Sequence, residues 1–147
     1  HECALSSGRP DGAHMLEVLL SQGRRLNLVA SDDAHFNLAD QFGGWVMVKA
    51  TDNAPDLLLE ALKRGEYYAS QGPDFFHIEV GEKDILVASS EVSSVFVQGH
   101  GVAVRAKHGD ALSNVRIPLE RFENSPWIRV SIVDRNGKQA WSNPIWL

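Results

Sequence analysis

The sequence predicts a fold in two parts, an α/β part over about residues 1–74 followed by a small all-β part over about 75–147. In the first part, short apolar strand patterns alternate with helical patterns. From about Phe75 onward the helical periodicity is lost, and short strand patterns separated by turn residues replace it. The composition, 44% hydrophobic and 22% charged, is that of a globular chain with enough apolar residues for a core.

The first part contains helices and strands in alternation. The predicted helices cover about residues 11–25 and 54–64, and the predicted strands cover 26–30, 45–50 and 67–70. Gly23 and Gly65 stand where glycine commonly ends a helix. Strands that alternate with helices favour a parallel sheet with right-handed crossovers. This part therefore predicts a piece of an α/β barrel or of an open doubly wound sheet.

The second part contains short strands at regular spacing. They are predicted at residues 76–80, 85–88, 95–98, 102–107, 115–119 and 128–133. Turn residues separate most of them, at 81–84, 99–101, 108–110 and 134–137. Such spacing predicts a small antiparallel β-sandwich. Trp127, Trp141 and Trp146 lie on strand-like segments and are expected to fill its core rather than to bind sugar.

Bulk properties exclude some partners. The formal charge of the 147-residue chain is -5, and its acidic and basic residues are interleaved, so no basic stripe favours nucleic acid. No apolar run approaches the roughly 20 residues of a membrane helix. Cys3 is the single cysteine, which fits a reducing compartment and predicts a cytoplasmic location. The first methionine is Met15, so we expect a chain cut or processed from a longer one.

The most informative segment is Asp32-Asp33-Ala34-His35, directly after the predicted strand 26–30. In an extended backbone, alternate side chains share a side, so Asp33 and His35 can point into one space. A carboxylate and an imidazole are common ligands of zinc, manganese or iron. The alternative is a capped turn, in which Asp side chains bond to loop amides. Two ligands alone cannot hold a metal firmly, so further ligands are required.

Several separate segments together resemble the later part of a polymerase-and-histidinol-phosphatase (PHP) domain. They are the Asp-Asp-Ala-His string at 32–35, Gly-Trp at 44–45, the run LLEALKRGEYYASQGP at 58–73 and the tail AWSNPIW at 140–146. The tail resembles the end of one PHP subgroup, in which a β-rich extension follows the barrel. The resemblance therefore covers nearly the whole chain.

The resemblance implies the C-terminal part of a distorted (β/α)7 barrel that holds a cluster of metal ions. The last motif of the family is an Asp-x-His pair, which Asp33 and His35 match as metal ligands. Asp32 has no certain role in the family and is interpreted as an outer partner that orients His35, or as a cap. The earlier histidine and glutamate motifs of the family have no match here, so the implied metal site is incomplete in this chain.

The implied activity is hydrolysis of a small phosphorylated substrate by metal-activated water. The Ser70 hydroxyl and the Gly72 amide could face a phosphate oxygen, although a tight turn explains them better. We expect unpaired sheet edges to be covered by a missing N-terminal segment or by a second copy, and the chain alone to be weakly active or inactive. A substrate other than a phosphate ester stays open.

The rival hypothesis is a non-catalytic module. In it, the β-rich part binds a partner or carbohydrate, and the α/β part is a relic without metal. The substrate and the identity of the metal are not encoded in these motifs. Bound metal that depends on Asp33 and His35 separates the two hypotheses.

Overall fold

The computed structural model describes residues 12–32, 34, 35 and 41–147. Within them, an antiparallel sheet dominates the fold, with two α-helices beside it. The helices are α1 (Gly12–Ser21) and α2 (Pro55–Arg64), and a 3-10 turn covers Glu120–Phe122. The strands are β1 (Trp45–Val48), β2 (Tyr67–Ser70), β3 (Phe75–Val80), β4 (Asp84–Gly99), β5 (Val104–Pro118), β6 (Trp127–Val133), β7 (Gln139–Ser142) and β8 (Ile145–Trp146).

The eight described strands form one curled sheet in the order β1-β2-β7-β6-β4-β3. Strand β5 pairs with the other side of β4, and β8 pairs with the start of β6. Every pairing is antiparallel. Strand β2, from the first half of the sequence, pairs with β7 near the end of the chain, so strands on both sides of residue 74 share the sheet.

The predicted fold class is wrong for the described residues, because they form neither part of a (β/α)7 barrel nor a separate sandwich. The alternation of strand and helix predicted parallel strands, yet β1 and β2 run antiparallel on either side of α2. The amide of Lys49 donates to the carbonyl of Glu66 at 2.8 Å, so the connection leaves and re-enters the sheet at one end of the pair. Residues 49–54 carry the chain away from the end of β1, and the ten residues of α2, about 15 Å long, return it to the same end.

The long hairpin of β4 and β5 replaces four of the short strands predicted from the sequence. The predicted turn at residues 108–110 is wrong, since these residues lie inside β5. The register moves from Val92 opposite Leu112 to Ser94 opposite His108, so three residues of β5 bulge opposite one residue of β4. A bulge bends a strand pair without ending it, which is why turn-forming residues occur here inside a strand.

Two apolar clusters stabilise the sheet. The larger lies between β4, β5, β6 and the 3-10 turn, and its buried members are Ile85, Val87, Val92, Val95, Val97, Val115, Ile117, Phe122, Ile128, Val130, Ile132 and Ala140. The smaller joins α1 to the opposite face of β6 through Leu16, Leu20 and Trp127. Alternate residues of β6 thus serve different clusters, as the two-residue period of a strand requires. Both described helices are too short to cross a bilayer.

Candidate functional site: the segment before His35 and its supports

The segment that leads to the Asp-x-His motif is extended but belongs to no strand. Residues 24–32 have no ladder partner, so the predicted buried strand over 26–30 is wrong. Leu26, Leu28 and Ala30 are half-buried while Asn27 and Val29 are exposed, which is the alternation of an extended chain lying on a surface. Leu26 and Leu28 pack on the smaller apolar cluster.

The side chain of Asn143 holds this segment in place. Its Oδ1 accepts a hydrogen bond from the amide of Leu28 at 3.0 Å. Its Nδ2 donates to the carbonyls of Gly65 and Tyr67, both at 3.0 Å. One side chain from the C-terminal tail therefore joins the segment before the motif to the stretch that connects α2 and β2.

Gly65 is required at this junction. Its φ of 74° is left-handed, and its amide bonds to the last turn of α2. A Cβ atom built on Gly65 would lie 2.6 Å from Nδ2 of Asn27. Both the backbone conformation and the close approach favour glycine, so the glycine predicted to end the helix also makes room for the extended segment.

A hydrogen bond closes the loop that contains the motif. The carboxylate of Asp32 accepts from the amide of Phe42 at 2.6 Å. A Cβ atom on Gly44 would lie 3.3 Å from that of Ala30, so the chain passes close to itself just beyond this bond. This contact joins Asp32 to an amide ten residues away, and both interpretations of Asp32, as a helix or turn cap and as a partner that orients His35, stay predictions.

The two predicted metal ligands differ in what the structure describes. Asp33 lies outside the described residues. His35 is described and exposed at the base of the loop. Among the described residues, no group of three or more histidine, cysteine, aspartate or glutamate side chains could hold a metal ion. In donor chemistry the Asp33 and His35 pair suits a divalent ion, and it needs further ligands to hold one.

Ser70 and Gly72 form a turn. Ser70 is buried, its hydroxyl donates to the carbonyl of Pro73 at 2.7 Å, and it accepts from the amide of Gly72 at 2.9 Å. The two groups considered as phosphate donors are thus hydrogen-bonded to each other. Between them, Gln71 donates from Nε2 toward the carbonyl of Gly43 at 3.5 Å and accepts from the amide of Gln139 at 3.3 Å. The turn thereby connects the end of the loop to β7.

A second polar feature lies in an open groove of about 940 Å³ bordered by β1, β2 and β3. There the hydroxyl of Tyr68 donates to Oδ1 of Asp74 at 2.9 Å, and its ring meets that of Phe75 edge-on at 5.3 Å. Burial and this hydrogen bond raise the pKa of Tyr68 to about 12. No local sequence pattern predicted this pair, because the turn at Gly72 is what brings β2 close to the start of β3.

The histidines of the β-rich part, His77, His100 and His108, are exposed. His77 is exposed on β3 and lies 3.5 Å from a carboxylate oxygen of Glu79. Nδ1 of His108 lies 2.8 Å from the hydroxyl of Ser94, and its ring contacts that of Phe96 edge-on. Each has its own local partner, and they do not converge.

Comparisons with known proteins add no relative. No protein-family model, no curated protein and no solved structure matches the chain.

Proposed function

We propose that this chain is part of a metal-dependent hydrolase, of the phosphoesterase type, in which Asp33 and His35 are metal ligands. The proposal rests on the resemblance to PHP proteins in residues and motifs. It does not include the barrel, which the described fold excludes. The substrate class is a small phosphorylated molecule, and the cytoplasmic location suggested by the single cysteine belongs to the same proposal.

One observation supports it above the others, namely the contacts of Asn143. Two of the segments that resemble the family, and the residues just before a third, meet around this side chain. The tail supplies Asn143, the run after α2 supplies the carbonyls of Gly65 and Tyr67, and the segment that enters the motif supplies the amide of Leu28. Segments more than a hundred residues apart along the chain are thus joined by one side chain at Leu28, a few residues before the Asp-x-His motif.

The proposed ligands have separate tasks. A bound divalent ion would supply an activated water and polarise a phosphoryl oxygen. Asp33 and His35 would each contribute a donor atom, and Asp32 keeps the loop closed through the amide of Phe42. The remaining ligands would come from other residues or another polypeptide, because two donors are too few for a stable site.

Metal uptake tests the proposal directly. The chain is dialysed to equilibrium against zinc and, separately, manganese, and the bound metal is measured by mass spectrometry. We expect binding that Asp33→Ala and His35→Ala each weaken at least about tenfold, since even loss of an outer partner weakens metal sites by about 10–100-fold. His100→Ala is the matched control, because His100 is an exposed histidine on the turn between β4 and β5.

Asp32 can be tested by two substitutions. Asp32→Asn keeps an oxygen for the amide of Phe42 and removes the charge, whereas Asp32→Ala removes both. If Asp32 orients His35 electrostatically, both variants weaken metal binding, and if it only closes the loop, Asp32→Asn binds like the unaltered chain. Metal binding that Asp33→Ala and His35→Ala leave unchanged would overturn the hydrolase proposal and favour the non-catalytic module.

A further inference from the structure

We propose that β1 is a subunit interface, at which a second copy of this chain adds its own β1 antiparallel and extends the sheet. This inference does not rest on the proposed hydrolase function. Strand β1 is the end of the sheet, and among the described strands it pairs with β2 alone. An edge strand carries backbone donors and acceptors that can pair with another strand.

The direction of these groups follows from the register of β1 and β2. The amide of Lys49 donates to the carbonyl of Glu66, which makes this a hydrogen-bonded pair. Hydrogen-bonded pairs alternate along antiparallel strands, so Met47 with Tyr68 and Trp45 with Ser70 are the next ones. The amides and carbonyls of Val46 and Val48 therefore point away from β2, toward the open edge.

The edge strands β3 and β5 carry features that discourage the addition of another strand, whereas β1 carries none of them among its described residues. Strand β3 carries His77 and Glu79 and has a register shift near its start. Strand β5 carries arginine, lysine, histidine and aspartate along most of its exposed length. Such charges and bulges discourage strand addition. Strand β1 reads Trp-Val-Met-Val, with no charge, no proline and no bulge, so its sequence suits pairing.

A second copy fits this edge with its charges compatible. With Val46 and Val48 as the hydrogen-bonding residues, a two-fold axis passes through Met47, and Val46 of each copy lies opposite Val48 of the other. Trp45 then lies opposite Lys49 of the second copy, a pairing of an aromatic ring with a cation, and no like charges face each other. Met47, which is 42% exposed, lies opposite itself and becomes covered.

Neighbouring apolar surface adds to the interface. Helix α2 contacts β1 and leaves Leu57 42% and Leu59 50% exposed. Four backbone hydrogen bonds alone make a small contact, and specific interfaces bury more than about 1,000 Å² in total. The exposed leucines on the helix beside β1 provide apolar surface of the kind such an interface needs.

The register is tested by cysteine pairing. In a Cys3→Ser background, Met47→Cys places two thiols at a non-hydrogen-bonded pair, where Cα atoms are about 4.5 Å apart and a disulfide can form. Val46→Cys is the matched control, because Val46 faces Val48 and not itself across the axis. We expect a disulfide-linked dimer for Met47→Cys under mild oxidation and little for Val46→Cys. The reverse result would overturn this register.

Association is tested by charge. Met47→Lys places two ammonium groups opposite each other, and Met47→Glu does the same with carboxylates. By size-exclusion chromatography with light scattering, we expect the unaltered chain to form a dimer. Each variant alone should have a dimer dissociation constant at least several-fold higher. An equimolar mixture of the two variants should form the dimer again. Val102→Lys, at an exposed apolar residue on the turn between β4 and β5, controls for a general effect of an added charge.

A monomeric unaltered chain over the whole concentration range would overturn the inference, as would a dimer that Met47→Lys leaves unchanged. The dimerisation test and the metal-binding test can also fail independently of each other. Gly44, which adjoins the Asp-x-His loop, is three residues from the axis, or about 10 Å. His35→Ala, which removes a proposed metal ligand outside β1, should therefore leave dimerisation intact.

Discussion

At the residue scale, Tyr68 has an acid–base property that can be measured without knowing the function. Burial, together with the hydrogen bond to Asp74, raises the pKa of its hydroxyl to about 12. Burial also raises the pKa of Tyr67 above its ordinary value. The chain has two tyrosines, so a spectrophotometric titration of tyrosinate in Tyr67→Phe observes Tyr68 alone. We expect its midpoint near pH 12.

The same shift makes stability depend on pH. The unfolded chain releases the proton of this hydroxyl near pH 10, whereas the folded chain keeps it until about 12. The contribution of Tyr68 to stability is therefore complete below pH 10 and is lost as the pH rises through this window. Tyr68→Phe should weaken that loss in urea unfolding series. A remaining tyrosine in Tyr67→Phe that titrates at the ordinary value would contradict the contact with Asp74.

Sequence patterns identified individual residues better than their contacts. Gly65 was predicted to end a helix, and it does so at the end of α2. The three hydrogen bonds of Asn143 were not predictable, because they reach residues 76 to 115 positions away along the chain. The resemblance did include the tail that contains Asn143, but it assigned this side chain no role.

At the element scale, a buried ion pair docks α1 on the sheet. Arg129 on β6 is 1% exposed and bonds to the hydroxyl of Ser131 and to the carboxylate of Glu17 on α1. Nε of Arg129 has no acceptor among the described residues. The pair thus attaches α1 to β6, and burying the guanidinium of Arg129 costs desolvation free energy.

Removing one partner should therefore be worse than replacing the cation. Glu17→Ala leaves a buried guanidinium without its carboxylate, and we expect it to lower the free energy of unfolding by about 2–3 kcal/mol, less than for a fully buried pair. Arg129→Met removes the buried charge together with its unsatisfied Nε, and the Glu17 side chain that it leaves unpaired is 29% exposed and can be hydrated, so its effect should stay within about 1 kcal/mol. Urea unfolding measures both.

The matched control is Glu60→Ala. Glu60 pairs with Lys63 on α2, and both side chains are more than half exposed. Exposed pairs contribute little, so the change should be below about 0.5 kcal/mol. Equal losses for Glu17→Ala and Glu60→Ala would contradict the docking role of the buried pair.

Local signals also predicted the existence of elements better than their pairing. The helix at 54–64 and the strand at 128–133 are confirmed as α2 and β6, because proline at the helix start, glycine at its end and alternation of apolar residues along the strand are local features. The direction of β1 relative to β2 depended on the length of the connection between residues 49 and 54. That length is visible in the sequence, but a pattern of alternating strands and helices does not encode where the helix returns.

At the scale of the whole molecule, the sheet joins the two parts that the sequence separated. The change from helical periodicity to strand patterns near Phe75 is confirmed, since α-helices occur only before it among the described residues. It did not predict a second sheet, because β2 finds its partner β7 about seventy residues later. A change in local pattern marks a change in element type, whereas the pairing of distant strands decides how many cores are built.

This arrangement predicts that β2 and β7 open together. Ala69 on β2 lies opposite Trp141 on β7, and both are buried. Exposing either strand breaks the same ladder, so hydrogen exchange should give amides of β2 and β7 opening free energies within about 1 kcal/mol of each other and of β6. The amide of Leu58 on the exposed helix α2 serves as the internal control and should exchange through smaller openings. If residues 1–74 instead formed an independent domain, β2 would open at a clearly lower free energy while β7 and β6 stayed protected.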